Sequence, residues 1–451
     1  MPYQDLRSFL AALKESGELV EIERPIALKY DIAKALAKSS SRDGPALLFR
    51  DTGTAFPLVA GLYGNRKRAL IGFEATEATI HKRVLDGIQN PVGPIDFQGS
   101  PPCQDVVLQG DDIDLTKLPV PIYSPKDGGP YITAAIIVSE NPETGVPDIG
   151  NYRLQVQGPK QMGVFSASNH RFGKNIAKAQ ELGVTLHGAA IIGVDPMTMF
   201  SCQVQSGDAS NDWYVAGGLR GAPVELAKAI GSDLKIPAWA EFVIEFTVNT
   251  DKLEVEGPLG EYTGYYTPAS LKPTATVTAI THRKDGIFQG LLTGKPITEN
   301  HVLKQIPFET SVLQQLQAQF PSISDISINS SGGVQVYIVL AMTPRYEGEA
   351  KQAILATMAC NLHPKWVIVV EPDIDIRNSA EVEWAMSFRV KPRTDVFVVD
   401  GTATAPLDPY TDGPLSSAVG IDATRPFGGD FPDVSEVPGW REFDLPEIES
   451  R

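Results

Sequence analysis

The stretch from Glu254 to Tyr266 reads EVEGPLGEYTGYY and joins two runs rich in β-branched and aromatic residues. Those runs cover residues 242–248 and 274–280, and their composition predicts two β-strands. Glycine and proline break helices and central strands alike, so we expect a tight turn between the strands. Such a turn would bring the carboxylates of Glu256 and Glu261 toward one cavity.

Two carboxylates in one confined site cannot both ionise cheaply, which pushes their pKa values apart. One would then serve as an acid and the other as a base near neutral pH. The spacing by itself favours a plainer alternative, which is an acidic turn on the protein surface.

Composition restricts the class of protein. The chain has 451 residues, which predicts two or three domains, and its 42% hydrophobic and 21% charged content is ordinary for a globular soluble protein. A formal net charge of −16 without a sizeable Lys/Arg cluster argues against binding to nucleic acid or anionic membranes. The N-terminus does not read as a signal peptide, and no apolar run reaches the ~18 residues of a membrane-spanning helix.

Cysteine usage points to a reducing cytoplasm. Cys103, Cys202 and Cys360 are far apart, and the sequence contains no CxxC pair. Neither a thiolate zinc site nor a disulfide framework is therefore expected.

Periodicity predicts three domains, with boundaries at 1–114, 115–304 and 305–451. In the first, a helix over 4–16, a strand at Leu19–Ile22, a second helix near 32–37 and a strand at Ala46–Phe49 indicate an α/β domain. The second is β-rich, with a further strand at 132–138, and suggests a barrel or sandwich with inserted helices. The third alternates again, with strands at 334–340 and 366–370 and an extended tail from about Ala405.

Four segments together resemble the signature of the UbiD-type decarboxylases, which use prenylated flavin mononucleotide (prenylated FMN). Besides GPLGEYTGY they are DIGNYRLQ at Asp148–Gln155, AGGLRGAPVE at Ala216–Glu225 and GIDATRP at Gly420–Pro426. They occur in the family's order and at roughly its spacing, and the similarity spans nearly the whole chain. The resemblance implies an α/β N-terminal domain, a central flavin-binding split β-barrel and an α/β C-terminal domain used in oligomerisation.

The resemblance also implies a catalytic network of Arg153, Glu256 and Glu261. Glu261 would protonate the carbon after CO₂ leaves, Arg153 would orient the carboxylate, and Glu256 would hold Arg153. Read without the resemblance, Arg153 is equally typical of a surface arginine on a strand.

A divalent metal, usually manganese, joins protein and cofactor phosphate in the resembled family. Its Asn, His and Glu ligands fall on Asp148, His170 and Asp212, which with Arg153 are the implied cofactor-binding residues. Magnesium and K⁺ are further candidate ions. The chain departs from the pattern with Asp for Asn at 148 and Asp for Glu at 212, and a lysine that relatives place near the phosphate is here Ala418. His170 taken alone would be an ordinary core or surface histidine.

The segment GKPITENH, residues 294–301, resembles the family's border of the substrate pocket. Thr298 and His301 are therefore candidates to face substrate, as is Tyr262 beside Glu261. An ordinary loop and a core tyrosine are the alternatives.

The predicted function is reversible non-oxidative decarboxylation of an aromatic, heteroaromatic or α,β-unsaturated carboxylic acid with prenylated FMN. The alternatives are a flavin oxidoreductase on a related barrel and a noncatalytic subunit of a decarboxylase or carboxylase complex. The resemblance implies a flavin prenyltransferase as cofactor supplier and a homodimer or homohexamer.

Overall fold

A computed structural model describes the chain over residues 3–167, 170–204, 210–295, 297–405, 407–411, 413–435 and 437–439. Helices and strands follow one another in three regions: an α/β region, a β-rich region and a second α/β region. Within the described residues, no helix is both long and apolar enough to cross a membrane.

The N-terminal region packs helices against a small sheet. Its elements are α1 (Leu6–Glu15), β1 (Leu19–Ile22), α2 (Asp31–Ser40), β2 (Ala46–Phe49), β3 (Leu58–Ala60), α3 (Arg66–Phe73) and α4 (Ile80–Gln89). The side chain of Asp5 accepts the Ser8 N–H and caps α1, whose apolar face is buried. β1 pairs parallel with β2, and β2 pairs antiparallel with β3. The predicted helices and strands of this region are confirmed.

The central region contains most of the strands. Its elements are β4 (Ile95–Asp96), β5 (Val106–Gln109), β6 (Tyr131–Ile132), β7 (Ile136–Glu140), β8 (Pro147–Asn151), β9 (Leu154–Val156), β10 (Gln161–Val164), α5 (Arg171–Leu182), β11 (Leu186–Ile192), α6 (Pro196–Ser201), α7 (Asp212–Arg220), β12 (Glu225–Lys228), β13 (Lys235–Pro237), β14 (Phe242–Glu256), β15 (Leu259–Gly260), β16 (Tyr266–Thr267), β17 (Ser270–His282) and β18 (Phe288–Gln289). In the described part of the chain, nine strands form one sheet in the order β6-β9-β10-β17-β14-β11-β7-β8, with β5 on β17. β18 returns to the N-terminal sheet beside β3.

Strands β14 and β17 contain the two runs predicted as strands on either side of the quoted stretch, and both are longer than predicted. They pair antiparallel from Phe242–His282 to Glu256–Ser270, with two register shifts. Glu256 therefore stands at the end of a long paired hairpin, where the chain leaves the sheet for the Gly-Pro turn.

The strand predicted over 132–138 is interrupted in the structure. β6 ends at Ile132 and pairs with β9, whereas β7 begins at Ile136 and pairs with β8. Between them the Asn151 side chain donates to the carbonyl of Ala135 at 2.8 Å, and Thr133 Oγ1 accepts the Leu291 N–H at 3.2 Å. Side-chain contacts replace ladder bonds here because the chain changes its pairing partner.

The C-terminal region is a second α/β layer. Its elements are α8 (Glu299–Gln317), β19 (Ile323–Ile328), β20 (Tyr337–Met342), α9 (Glu349–Met358), β21 (Trp366–Val370), α10 (Ser379–Arg389), α11 (Pro392–Asp395), β22 (Val396–Ala403) and β23 (Leu415–Asp422). The sheet order is β19-β20-β21-β23-β22. The prediction of an extended tail from Ala405 was wrong for β23, which pairs parallel with β21 inside the sheet. The serines and the glycine of β23 are uncommon in strands, so its composition did not predict one.

The regions share cores. Leu6 of α1, Phe73 of α3, Ile191 of β11 and Ile306 of α8 belong to one buried apolar cluster. The predicted boundary between residues 304 and 305 falls inside α8. This helix therefore connects the central sheet to the C-terminal layer and carries side chains of both.

Candidate active site

Arg153 lies between the two carboxylates of the Gly-Pro turn. Its Nε donates to Glu256 Oε1 at 3.1 Å and its Nη2 to Glu256 Oε2 at 2.9 Å, while Nη1 donates to Glu261. Arg153 precedes β9, Glu256 ends β14, and Glu261 follows β15. The structure thus brings together all three residues of the predicted network, and the guanidinium relieves the repulsion between the two carboxylates.

The network is buried. Arg153 and Glu261 are each 9% exposed and Glu256 is 1% exposed. Burial alone would lower the pKa of Arg153, but the hydrogen bonds and charge of Glu256 outweigh it and the pKa is raised. Arg153 therefore stays a cation throughout the working pH range. The Phe165 ring covers it, 4.0 Å from Cζ to the ring centroid.

Tyr131 supplies a further donor to Glu256. Its hydroxyl donates to Glu256 Oε1 at 3.2 Å, and burial together with the Glu256 charge raises the pKa of Tyr131. The hydroxyl therefore remains protonated at neutral pH and holds the same Glu256 oxygen that Arg153 Nε binds.

Backbone contacts fix the turn between the carboxylates. Gly257 has φ +93°, and its N–H donates to Gln155 Oε1 at 3.1 Å. The N–H of Gly128 donates to the carbonyl of Pro258 at 2.8 Å. A Cβ at Gly128 would lie 2.3 Å from the Gly257 carbonyl oxygen, so only glycine fits that approach.

A cavity opens on one side of the network. Arg153, Glu261, Tyr262, His170 and Lys304 are among the residues that line it. Burial lowers the pKa of Lys304, an effect that Glu261 partly offsets, and its Nζ lies 4.5 Å from the centroid of the Tyr262 ring. Burial and Lys304 lower the pKa of His170, which is therefore neutral at physiological pH. The cavity wall thus carries the Glu261 carboxylate together with the basic side chains of Arg153 and Lys304.

Thr298 and His301 lie behind this wall. They are 3% and 0% exposed, and together they cap α8. His301 Nδ1 accepts the Thr298 N–H at 3.0 Å, and its Nε2–H donates to the Tyr262 carbonyl at 2.7 Å. Burial lowers the pKa of His301 to about 4. The two residues therefore position Tyr262, which lines the cavity, and their predicted direct contact with substrate stays a prediction.

The three predicted metal ligands are arranged differently from the prediction. Asp148 and Asp212 both pair with Arg171, the residue after His170, whereas His170 lines the cavity beside Arg153 and Glu261, next to Tyr152. The described residues contain no group of three or more His, Cys, Asp or Glu side chains placed to hold a metal. A guanidinium stands where a divalent ion would need the carboxylate oxygens, so this arrangement does not fit the implied metal.

The lining of the cavity offers groups that suit a planar, anionic cofactor. Tyr152 and Phe165 offer aromatic faces, and Lys304 offers a cation. Thr293 Oγ1 is buried on the lining and lacks a hydrogen-bond partner among the described residues, so a bound ligand can satisfy it. These side chains would hold a flavin whose polar edges reach the wall.

Sequence reasoning missed several residues of the site. Lys304 lies one helical turn after His301, but a lysine in a helix is ordinarily solvated. Tyr131 is 125 positions from Glu256 along the chain, and Arg171 lies next to His170 without any distinctive pattern. Only the fold brings Tyr131 to Glu256. It likewise brings Arg171 to Asp148 and Asp212.

Comparison with known protein families covers most of the chain. The profile of the UbiD family described as the 3-octaprenyl-4-hydroxybenzoate carboxy-lyase Rift-related domain matches residues 96–296. The profiles of the N-terminal and C-terminal domains of the same carboxy-lyase match residues 10–88 and 301–423.

Solved structures of similar proteins agree over almost the full length. The UbiD-class enzyme HmfF from Pelotomaculum thermopropionicum, in complex with FMN, is 32% identical with a TM-score of 0.92, covering 98% of this chain and 99% of that one. Vanillic acid decarboxylase from Sedimentibacter hydroxybenzoicus in open form is 27% identical with a TM-score of 0.89, covering 98% of both chains. Apo 3,4-dihydroxybenzoic acid decarboxylase from Klebsiella pneumoniae is 26% identical with a TM-score of 0.89, covering 98% and 100%.

The buried His301 predicts a pH dependence of stability. Its pKa of about 4 in the fold lies below the ordinary value of 6.5, so the unfolded chain binds the proton more readily. The stabilising contribution is complete above pH 6.5 and is lost as the pH falls toward 4, by up to about 3 kcal/mol. Urea unfolding measured across this range should therefore show a falling free energy, and His301→Gln should flatten the slope. The exposed His187→Gln should keep the wild-type slope. An unchanged slope in His301→Gln would contradict the assignment.

Proposed function

Because the chain belongs to the UbiD family, we propose that it catalyses non-oxidative decarboxylation with prenylated FMN. The substrate class is an aromatic, heteroaromatic or α,β-unsaturated carboxylic acid, and the reaction reverses at high CO₂. The observation that carries the proposal is Arg153, held bidentately by Glu256 and bonded to Glu261, on the wall of a cavity whose lining offers aromatic faces and a cation to a flavin. HmfF has been solved with FMN, an evolved dimeric form of it has been solved with prenylated FMN, and two other relatives are named decarboxylases.

Each charged residue has a distinct task in this proposal. Arg153 orients the substrate carboxylate through its positive charge, since its Nε–Nη2 fork is already bound to Glu256. Glu256 holds Arg153 through two hydrogen bonds, and Tyr131 holds Glu256. The bound prenylated flavin supplies an electron sink for the carbon that loses CO₂. Glu261, after taking up a proton from solvent, delivers it to that carbon, and the product leaves with hydrogen where the carboxylate was.

The cavity wall supports the substrate class. Tyr262 and Phe165 offer flat apolar surfaces to a conjugated acid, and Asn300 and Thr293 offer polar atoms at its edges. Thr298 and His301 act on this wall through the Tyr262 carbonyl. Lys304 adds a positive charge that favours entry of an anion.

The finer features implied by the resemblance belong to this proposal as predictions. They are the split form of the central β-barrel, a flavin prenyltransferase that supplies the cofactor, and K⁺ near it. Mn²⁺ or Mg²⁺ at Asp148, His170 and Asp212 is the one implied feature that we do not include, because Arg171 pairs with both aspartates.

A turnover assay tests the reaction class. Protein co-produced with a flavin prenyltransferase should carry prenylated FMN, identified by mass and absorption spectrum, and should release CO₂ from members of a panel of conjugated carboxylic acids. It should leave NADH and NADPH unoxidised, because the proposed chemistry has no hydride transfer. Oxidation of a nicotinamide would favour the flavin oxidoreductase. A cofactor-loaded protein that releases CO₂ only with a second subunit would favour the noncatalytic alternative.

Glu261→Gln should abolish most turnover while leaving the cofactor bound. Loss of a positioned acid or base lowers the rate ~10²–10⁴-fold. The amide keeps the shape of the side chain and an oxygen that can accept from Arg153, so flavin content should match wild type. Glu254→Gln is a matched control, because Glu254 pairs with Lys252 on the same hairpin away from the cavity. Near-normal turnover in Glu261→Gln would remove Glu261 from the proposed role.

We expect a symmetric homo-oligomer, a dimer or a hexamer built from dimers. The C-terminal region exposes large apolar side chains, including Phe388 at 70%, Tyr410 at 88% and Val437 at 70%. Apolar surface of this kind is typical of contacts between subunits. Light scattering should give a mass of at least twice the 48.7 kDa of one chain. A monomer mass at micromolar concentration would count against the prediction.

A further inference from the structure

Arg171 pairs with two buried carboxylates that come from different elements. Its Nε lies 3.1 Å from Asp148 Oδ1, Nη2 donates to Asp212 Oδ2, and Nη1 donates to the Ser210 carbonyl at 3.0 Å. Asp148 lies on β8, Asp212 begins α7, and Arg171 begins α5. All three guanidinium nitrogens are engaged, so the side chain ties these elements together.

The elements around this cluster are fixed independently. Asp212 Oδ2 also accepts the Ile149 N–H at 3.0 Å, which ties α7 to β8. Asn175 of α5 donates to Ser139 Oγ at 3.1 Å, and Ser139 pairs with Asp148 across β7 and β8. The side chains of Arg171, Asp148 and Asp212 are 17%, 5% and 4% exposed. The two carboxylates are therefore presented to the guanidinium by a prearranged framework.

Guanidinium and metal compete for the same oxygens. A divalent cation binds carboxylate oxygen at about 2.0–2.6 Å, well inside the distance at which a guanidinium nitrogen sits. An ion shared by Asp148 and Asp212 would have to displace Nε and Nη2 of Arg171. Displacing Arg171 would leave its buried guanidinium without a partner, and this cost strongly opposes its replacement by a metal ion.

The two departures from the resembled pattern suit an arginine. An asparagine amide at position 148 could not form an ion pair, whereas the aspartate gives the guanidinium a second anionic partner. Aspartate at 212 is one methylene shorter than glutamate and leaves room for the planar group. The same substitutions that put the metal geometry in doubt therefore complete a site for Arg171.

We propose that the guanidinium of Arg171 is the resident cation between Asp148 and Asp212 and excludes divalent metal from them. The cation of this site then belongs to the chain itself. The inference goes beyond the proposed function and does not depend on it, since it concerns the occupant of the site rather than the reaction.

Metal content of the wild-type protein is the first test. After dialysis against metal-free buffer, elemental analysis should find far less than one Mn²⁺ or Mg²⁺ per chain. Titration with Mn²⁺, followed by electron paramagnetic resonance of the free ion, should show only weak binding. Wild-type protein that retains about one divalent ion per chain overturns the proposal, whether or not it decarboxylates.

Removing the guanidinium should create the metal site. We expect Arg171→Met to bind Mn²⁺ at least about tenfold more tightly than wild type, a difference of about 1.4 kcal/mol. Asp148→Asn in the Arg171→Met background should reverse the gain, which places the new ion at these carboxylates. The exposed Arg24→Met should bind Mn²⁺ as wild type does.

Circular dichroism and thermal unfolding establish that each variant is folded. Folded Arg171→Met protein with Mn²⁺ affinity no higher than wild type contradicts the proposal. If Arg171→Met does not fold, Arg171→Gln takes its place with the same expected gain, and the wild-type metal content still decides.

Discussion

The buried pairing of Arg153 with Glu256 and Glu261 is the constraint on which the rest of the site depends. Charges so little exposed are costly to leave unpaired, so each must find a partner in the fold. Arg153 comes from the edge of β9, and the carboxylates come from either side of a glycine-proline turn at the end of β14. The long β14–β17 hairpin delivers the turn to the arginine, and the close approach of Gly128 to that turn holds it there. The relative positions of Arg153, Glu256 and Glu261 are thus fixed by the pairing of β14 with β17, which extends far from the site.

The C-terminal layer contributes to the same wall through one helix. α8 begins behind the cavity, and its first turn fixes Tyr262 through His301 and presents Lys304 to the cavity. His301 can do this only as a neutral tautomer, with Nδ1 accepting and Nε2 donating. Protonating Nδ1 would set its proton against the Thr298 donor, which is consistent with the low pKa that burial gives this ring. The protonation state of His301 is therefore coupled to the positions of α8 and of Tyr262.

Arg153 and Arg171 each lie between two carboxylates, with different consequences. Arg153 faces the cavity, where its charge can act on a substrate anion. Arg171 lies at the junction of β8, α5 and α7, where the same pairing binds secondary structure together. Both arginines form the same kind of ion pair. Their surroundings determine whether the guanidinium can act on a substrate, as for Arg153, or holds secondary structure together, as for Arg171. A carboxylate pair in a sequence therefore does not identify its cation.

The sequence by itself determined the two strands and the tight turn around Glu256 and the first helix and strands, and its resemblance to the UbiD family implied that Arg153, Glu256 and Glu261 share one site. Those features are local or are carried by short motifs whose residue types fit one chemistry. It could not show that the strand predicted over 132–138 is interrupted at Thr133 or that the serine-rich segment of β23 is a strand inside the sheet. Nor could it show that the Tyr131 hydroxyl contacts Glu256. The resemblance implied a metal at Asp148, His170 and Asp212, because carboxylates of this kind can pair with a metal ion or with an arginine. Only the tertiary structure placed Arg171 between Asp148 and Asp212, since the fold determines which cationic group lies next to a buried carboxylate.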